Sequence, residues 1–386
     1  MSKMLDIENA VGSRYSAAAH AVESALCCPV NYDTRYLRVI PDEVIDRDYG
    51  CGDPSRYVRE GETVLDLGSG GGKICFIASQ VVGPAGRVIG VDMNDEMLAL
   101  ARRSQPVVAD AIGYDNITFC KGRIQDMAVD RDALDRYLHS HPVADESSLR
   151  ALEAFIAEQR RAKPMVPDRS VDVVVSNCVL NLVDSAEKPK LFAEIFRVLK
   201  EGGRAVISDI VADQTVPVHL QQDAELWSGC VSGALRDEAF LHAFEAAGFH
   251  GVELVALQEE PWQIVEGIEF RSATVIAYKG QPACEPGPTS EPAEGRPGRV
   301  MYRGPFARIH DDQGNEYRRG RVSTVDPDTL TRLSREPYVD HFIGARPPGR
   351  KGPAGLPIAQ PTTSQQGVAE RGTSGADACC DAGDCC

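Results

Sequence analysis

Short apolar runs rich in β-branched residues alternate with amphipathic stretches between Glu62 and Lys279, and this alternation restricts the possible fold more than any other feature of the chain. The runs predict strands at residues 63–68, 87–93, 117–121, 171–178, 203–211, 251–257 and 273–278. The stretches between them predict helices at residues 73–82, 94–112, 187–200 and 237–247. Strands that alternate with helices form a mainly parallel sheet covered by helices, so the predicted class is α/β. The last two strands have no helix between them, which predicts a hairpin-like return.

The chain of 386 residues is longer than one compact domain usually is, so we expect a main domain with appendages. Changes in composition mark an N-terminal segment at 1–58, a main domain at 59–279, a Pro/Gly/Glu/Ser-rich linker at 280–297, a small β-rich module at 298–345 and a tail at 346–386. The tail has almost no large apolar residues and is predicted to be disordered. Helical periodicity at 127–167, between two predicted strands, indicates a helical insertion.

Charge and hydropathy limit the partners and the compartment. A formal net charge of -16 makes a nucleic acid or an anionic membrane surface an unfavourable partner, because both require a basic footprint. The sequence has no apolar run of about 18 residues and no signal-peptide pattern near its start, so a cytoplasmic location is expected. Thiols stay reduced in the cytosol, so the twelve cysteines are interpreted as free thiols.

A glycine turn, LDLGSGGGK at residues 65–73, follows the first predicted strand and opens the first predicted helix. The turn therefore lies at the carboxyl edge of the sheet, where ligands of such folds bind. Glycines are needed where a ligand comes into van der Waals contact with the backbone. Asp92 and Met93 end the next strand, and a carboxylate placed about 20 residues after the turn can accept both hydroxyls of a ribose.

The spacing of the turn separates two classes of cofactor. A dinucleotide fingerprint has a third glycine where this chain has Lys73, and Asp66 would repel a pyrophosphate. The same carboxylate suits the ammonium and sulfonium groups of S-adenosylmethionine, which the turn therefore favours. Ile124 and Gln125 could line the adenine, and Asn177 could face the methionine moiety. The candidate cofactor-binding residues are thus Asp66, Gly68, Ser69, Gly70, Gly72, Asp92, Met93, Ile124, Gln125 and Asn177.

Three cysteines stand where a substrate could be held. Cys178 ends the fourth predicted strand, so its side chain is expected over the cofactor edge. Cys230 and Cys51 lie in loops between glycines and polar residues, which buried packing explains poorly. Cys75 and Cys120 fall on a predicted helix and strand and are interpreted as small buried apolar residues.

Five segments of the chain resemble the arsenite S-adenosylmethionine methyltransferase family. They are LDLGSGGGK, RVIGVDM, VVVSNCVLNLV, EIFRVLKEGGRAVISDIV and ELWSGCVSGAL. The resemblance runs from about Cys27 to Tyr278, and the fourth-strand and LWSGCVSGAL segments are its most specific parts. It implies a Rossmann-like, seven-stranded class I methyltransferase sheet and a small β-rich C-terminal module. The helical insertion and the disordered tail are expected from periodicity and composition alone, and the insertion is not a standard feature of the family. The chain departs from the family at Lys73 and Ile74, where Arg-Asp is common.

The resemblance also implies roles for individual residues. Cys51, Cys178 and Cys230 correspond to the family's arsenic-coordinating thiols, and the segment at 212–236 would cover the acceptor. Either Cys27 or Cys28 matches the N-terminal thiol of a disulfide relay that thioredoxin or glutathione would reduce. The activity implied is methylation of arsenite, with S-adenosylmethionine as the methyl donor, in arsenic detoxification.

Two other functions remain open at the level of sequence. The enzyme could methylate another thiophilic metalloid or a small organic acceptor, in which case turnover on an organic acceptor would resist mild thiol alkylation. Alternatively, the chain could sequester a metalloid without catalysis, and it would then bind arsenite without consuming the cofactor.

Overall fold

The structure is a computed structural model that describes residues 6–26, 30–280 and 297–344. Cys27 and Cys28, nearly all of the predicted linker and the predicted tail lie outside these residues. The described chain forms two compact units, one ending at Gly280 and one beginning at Pro297. Within the described residues, no helix combines the length and the apolar character needed to cross a bilayer.

The first unit is built on one mixed sheet. Its strands are β1 (Thr63–Leu67), β2 (Arg87–Asp92), β3 (Ile117–Lys121), β4 (Val171–Asn177), β5 (Leu199–Ala212), β6 (Leu235–Arg236), β7 (Phe249–Leu257), β8 (Gln263–Val265) and β9 (Ile268–Lys279). The main path runs β3-β2-β1-β4-β5-β9-β7, while β6 pairs with β5 and β8 with β9. The strands from β1 to β5 on this path are parallel, and β9 is antiparallel to both β5 and β7. This confirms the predicted seven-stranded α/β sheet and its hairpin-like return.

Helices cover both faces of the sheet. They are α1 (Ile7–Ala18), α2 (Thr34–Leu37), α3 (Asp42–Ile45), α4 (Lys73–Val82), α5 (Asp95–Ile112), α6 (Arg131–Ser140), α7 (Glu146–Ala162), α8 (Lys188–Val198), α9 (Val218–Gln221), α10 (Ala224–Ser228) and α11 (Asp237–Ala246). The helices α6 and α7 occupy the segment in which the insertion is predicted. The helix α8 ends two residues before its predicted end, because β5 already begins at Leu199. The helix α1 was not predicted.

Two apolar layers hold this unit together, one on each face of the sheet. Side chains alternate along a strand, so Leu65 and Leu67 of β1 enter the layer beneath α8 and α11, whereas Val64 enters the layer beneath α4 and α5. All three side chains are fully buried. Because parallel strands are buried on both faces, they appear in the sequence as continuous apolar runs.

The second unit is small and rich in strands. It contains β10 (Gly298–Tyr302), β11 (Arg308–His310), β12 (Glu316–Arg318), β13 (Val322–Val325), α12 (Pro327–Leu333) and β14 (Phe342–Ile343). A three-stranded sheet has the order β13-β10-β14, and β11 pairs with β12. Its core is formed by Val300, Tyr302, Tyr317, Leu333 and Phe342. The predicted β-rich C-terminal region is confirmed.

Candidate active site

A cavity of about 760 Å³ opens at the carboxyl ends of β1, β2 and β4. This volume is in the range of small-molecule and cofactor sites. The predicted site residues that line it are Asp66, Gly68, Ser69, Gly70, Asp92, Met93, Ile124, Gln125, Asn177 and Cys178. Residues from four separate loops thus meet at one edge of the sheet, as the strand order requires.

The glycine turn supplies the floor of this cavity. The backbone N–H of Gly70 donates to Asp92 Oδ2 over 2.8 Å, which fixes the turn against the end of β2. Gly70 has φ +50°, and a Cβ built on it would meet no protein atom within 4 Å. A Cβ on Gly68 would instead fall 2.4 Å from a methyl of Val179. Packing within the protein therefore requires glycine at 68, while at 70 the open space belongs to the cavity and fits a ligand held close to the backbone.

Gly72 is not among the residues that line the cavity, so its predicted role in binding the cofactor stays a prediction. It is the residue before α4, with φ +92°, and its Cβ position lies 2.8 Å from the ring of Phe119 and 3.0 Å from that of Phe76. Close packing between helix and sheet explains this glycine without reference to a ligand.

A buried carboxyl group, that of Asp66, and a half-buried one, that of Asp92, face the cavity. Asp66 is only 2% exposed, and burial raises its pKa to about 8, opposed by a hydrogen bond that Cys75 Sγ donates to Asp66 Oδ2 over 3.2 Å. Burial also raises the pKa of Asp92, although the N–H groups of Asn94 and Gly70 lower it. Carboxyl groups in such surroundings bind a cationic group well, because a nearby positive charge restores the stability of the ionised form.

Asp66→Asn is expected to change the pH dependence of stability. The unfolded chain releases this proton near pH 4 and the folded chain near pH 8, so the folded state binds more protons between these values. The free energy of unfolding therefore falls as pH rises from 4 to 8, by at most about 1.4 kcal/mol per pH unit from this residue. The variant lacks this slope and gains stability relative to the wild type towards pH 8. Denaturant unfolding at pH 5, 6.5 and 8 measures the difference, and parallel curves would contradict the assignment.

The unpredicted helix α1 lies along one side of the cavity and provides part of its lining. Asn94, the N-cap of α5, donates from Nδ2 to Gly12 O over 3.1 Å and to Ser16 Oγ over 3.0 Å. Arg14 Nη1 donates to the carbonyl of Glu225, at 2.9 Å, and so joins α1 to α10. The available sequence signal was Asp6, whose carboxylate accepts from Asn9 N and caps the helix.

Cys178, Cys230 and Cys51 converge in one buried apolar cluster beside the cavity. Cys178 also lines the cavity itself. Hydrogen bonds with the thiols of Cys230 and Cys51, together with burial, raise the pKa of Cys178 well above the usual range of a thiol. The structure thus brings together three sulfur atoms that are far apart in the sequence, and it places one of them at the cofactor edge.

The backbone is strained at two of these cysteines. Cys178 has φ +62° and Cys230 has φ +61°, in the left-handed region that costs a non-glycine residue roughly 1–2 kcal/mol. Backbone strain of this kind concentrates at functional sites. Cys230 Sγ donates to Cys178 O over 2.9 Å, and among the described residues no group of three or more Cys, His, Asp or Glu side chains is placed to hold a metal ion. A single ion bound by all three thiols therefore requires Cys230 to turn from that carbonyl.

A buried polar network fixes the segments that carry Cys178 and Cys230. Asp209 Oδ2 accepts from Leu180 N over 2.8 Å, and Lys188 Nζ donates to Leu180 O and to Gly233 O, at 3.1 and 2.8 Å. Burial raises the pKa of Asp209 to about 6 and lowers that of Lys188 to about 8. Neither residue was predicted, because each contacts parts of the chain far from it in sequence.

Asn177 lines the cavity, but its amide is used differently from the prediction. Its Oδ1 accepts from the N–H groups of Cys51 and Gly52, and its Nδ2 donates to Gly52 O and to Tyr32 OH. Tyr32 OH lies 3.1 Å from Asp48 Oδ2, and Lys73 Nζ lies 3.1 Å from the same oxygen. Three of the four hydrogen bonds of this amide are thus made with the turn that carries Cys51.

The remaining predicted thiols have separate environments. Cys75 is fully buried within the apolar layer beneath α4, as interpreted from sequence, and it also contacts Asp66. Cys120, interpreted from sequence as a buried residue, is only half-buried on β3 and does not belong to the cluster. Cys27 and Cys28 lie outside the described residues, so their predicted place in a disulfide relay stays a prediction.

Comparison with known families and proteins agrees with this geometry. A methyltransferase domain model matches residues 59–152 and 154–248, and a domain of unknown function matches residues 289–372. An arsenite methyltransferase of Aquipseudomonas alcaligenes is 31% identical over 340 residues, which cover 83% of this chain and 85% of that protein. An arsenite methyltransferase of Halobacterium salinarum is 37% identical over 232 residues, which cover 60% of this chain and 48% of that protein.

A solved structure shows the same likeness. The crystal structure of an arsenic(III) S-adenosylmethionine methyltransferase from Chlamydomonas reinhardtii matches with a TM-score of 0.54 and 25% sequence identity. The match covers 82% of this chain and 96% of that one.

Proposed function

Because the chain belongs to the arsenite methyltransferase family, we propose that it transfers methyl groups from S-adenosylmethionine to trivalent arsenic held by Cys51, Cys178 and Cys230. The observation that carries the proposal is the position of Cys178, which belongs both to the thiol cluster and to the cavity wall. Such a shared residue is what transfer between a cofactor and a thiol-bound acceptor requires. The biological role that we propose is arsenic detoxification in the cytoplasm.

The cavity suits the proposed cofactor. We propose that Asp92 accepts the ribose hydroxyls, that Ile124 and Gln125 line the adenine and that Asp66 receives the cationic amino-acid end. All four residues line the cavity, and the open face of Gly70 leaves space for a ligand close to the backbone. When bound there, S-adenosylmethionine supplies an electrophilic methyl group. The protein's own part is to bind it with this methyl directed towards Cys178.

Arsenic(III) is a soft acceptor that prefers thiolates to oxygen or nitrogen donors. Three sulfur ligands leave its lone pair at the apex of a trigonal pyramid. Transfer forms an arsenic–carbon bond from that lone pair and breaks the sulfur–methyl bond, whose electrons stay on the departing sulfur. No proton leaves the arsenic, so no general base is needed, and catalysis consists of alignment at about 3–3.5 Å.

Transfer raises arsenic formally from the trivalent to the pentavalent state, so a further cycle needs two electrons. We propose that two thiols supply them by forming a disulfide, with Cys51 and either Cys27 or Cys28 as the pair. Exchange with thioredoxin or glutathione would regenerate both thiols. The buried position of Cys51 at the cluster supports the first member of the pair.

The direct test incubates the purified chain with S-adenosylmethionine, a thiol reductant and arsenite, antimonite or an organic thiol in parallel. Mass spectrometry is expected to find methylated arsenic, with one S-adenosylhomocysteine released for each methyl group added. Tight arsenite binding without cofactor consumption would point to sequestration instead, and preferred methylation of antimony or of the organic acceptor would reject the arsenic assignment.

A further inference from the structure

Asn177 stands at the carboxyl end of β4, where sequence reasoning placed a cofactor contact. In the structure all four hydrogen-bonding positions of its amide are filled: Oδ1 accepts from Cys51 N over 2.9 Å and from Gly52 N over 3.0 Å, and Nδ2 donates to Gly52 O over 2.7 Å and to Tyr32 OH over 3.1 Å. No donor or acceptor of this amide remains for a cofactor. Three of the four bonds go to the backbone of residues 51 and 52.

The turn around Cys51 is fitted closely to this amide. A Cβ built on Gly50 would fall 1.9 Å from Asn177 Nδ2, and one on Gly52 would fall 2.6 Å from Ser208 Oγ. Ser272 Oγ donates to Cys51 O over 2.6 Å from the opposite side. The glycines on each side of Cys51 therefore allow the backbone to approach Asn177 and Ser208, and polar side chains from β4 and β9 hold both the N–H and the carbonyl of Cys51.

The orientation of the Asn177 amide is itself fixed. Tyr32 OH, which accepts from Asn177 Nδ2, lies 3.1 Å from Asp48 Oδ2, and the same oxygen is paired with Lys73 Nζ. Lys73 also lies over the Tyr32 ring, 4.1 Å from its centre. If Oδ1 and Nδ2 exchanged places, Nδ2 would face the N–H groups of Cys51 and Gly52, which are donors themselves. Only the observed orientation therefore gives these two N–H groups an acceptor.

We propose that Asn177 is a positioning residue for the Cys51 thiol. It holds the Gly50-Cys51-Gly52 turn at the end of β4, so that Cys51 faces Cys178 before the metalloid arrives. A loop held in its binding conformation loses less entropy when it binds. The inference rests on the proposed function for its significance, but the placement of Cys51 can be tested without arsenic.

The variant Asn177→Ala removes all four bonds, while Asn177→Asp keeps an acceptor for the two N–H groups. The matched control is Asn116→Ala, because Asn116 also binds loop backbone with its amide, donating to Gly83 O and Gly86 O, next to the amino end of β3. Two measurements are made on each: KM for arsenite and for S-adenosylmethionine, and the rate at which iodoacetamide alkylates Cys51 in the metalloid-free protein.

Asn177→Ala is expected to raise KM for arsenite about tenfold and to speed alkylation of Cys51 by a similar factor, since it leaves two N–H groups of the turn without partners. KM for S-adenosylmethionine should stay within about twofold of wild type on the same reasoning. For Asn177→Asp, the KM for arsenite and the alkylation rate of Cys51 should both lie between those of wild type and Asn177→Ala. Asn116→Ala should change neither quantity.

Two results would overturn the proposal. A raised KM for S-adenosylmethionine with unchanged Cys51 alkylation would make Asn177 a cofactor contact. Equal changes in Asn177→Ala and Asn116→Ala would show a general loss of stability. If Asn177→Ala does not fold, Asn177→Asp gives the test, because it lacks the donor to Gly52 O and should speed alkylation of Cys51 in the same direction; an unchanged alkylation rate would overturn the proposal. If wild type does not methylate arsenite, the proposed function fails, and the alkylation rates still decide the role of Asn177.

Discussion

Replacing Cys178 by Ser is expected to slow arsenite methylation by at least about 100-fold, because misplacement of a reacting atom by about 1 Å already has an effect of that size. Cys178 is the cysteine common to the thiol cluster and the cavity, and the neighbouring thiols of Cys230 and Cys51 raise its pKa well above the usual range. A serine hydroxyl is a hard donor that binds soft arsenic poorly. Initial rates with labelled S-adenosylmethionine and saturating arsenite measure the effect.

Cys120→Ser is the matched control for this variant. Cys120 is a half-buried thiol on β3 that does not belong to the cluster, so this change is expected to leave the rate within about twofold of wild type, as most changes away from special features do. The Cys178→Ser protein should still bind S-adenosylmethionine, which equilibrium dialysis can measure. A Cys178→Ser enzyme with the wild-type rate would reject the three-thiol site.

Gly70→Ala is expected to weaken binding of S-adenosylmethionine by roughly 10- to 100-fold. The added methyl meets no protein atom within 4 Å, so it projects into the cavity, where it would overlap a bound cofactor. Overpacking by a methyl typically has an effect of about 1–3 kcal/mol, which corresponds to that range of affinity. Equilibrium dialysis of the variant with S-adenosylmethionine gives the affinity directly.

The control for Gly70→Ala must introduce the same backbone strain at a position that does not line the cavity. Gly61 has φ +77° and a similarly open Cβ position, but it lies before β1 and does not line the cavity. Gly61→Ala and Gly70→Ala should therefore lose a similar stability of about 1–2 kcal/mol, and only the second should lose affinity. Equal affinities in the two variants would mean that the cofactor does not approach the glycine turn.

The fold was predictable where the pattern of apolar residues is local. The continuous apolar runs of β1 and β4 and the stop at Gly83 after α4 each depend on a few neighbouring residues. Helix α1 was missed because only one residue of it, Ala18, is buried, so its sequence lacks an apolar stripe. Such a helix is held by polar contacts, here with Asn94 and Glu225, which no periodicity reveals.

The cofactor edge was predictable because strand ends of a parallel sheet meet there. Asp66, Gly70 and Asp92 follow from that rule. Gly72 and Asn177 show that the position of a residue at this edge does not by itself determine what its side chain or backbone contacts. Both stand at the correct edge, yet one packs against Phe119 and the other holds a turn about 125 residues away in the chain. A side chain's partner depends on the tertiary fold, so position alone could not assign these two roles.

The meeting of the three thiols depends on more than spacing. Resemblance to a family suggested that the three thiols converge. What positions them in the structure is the left-handed backbone at Cys178 and Cys230, together with the buried network of Asp209 and Lys188. None of these has a local sequence signature, because cysteine and lysine are common in other surroundings. The same network explains why a strained arrangement can persist, since several buried hydrogen bonds hold the segments on each side.

The central claim is that Cys51, Cys178 and Cys230 bind one arsenic atom together. X-ray absorption at the arsenic edge, measured on the purified protein loaded with one equivalent of arsenite, tests it most directly. The proposed site predicts a first shell of three sulfur atoms in the wild type, once Cys230 has turned from the carbonyl of Cys178, and fewer sulfurs in Cys178→Ser. A shell of oxygen atoms, or a spectrum that Cys178→Ser leaves unchanged, would contradict the claim.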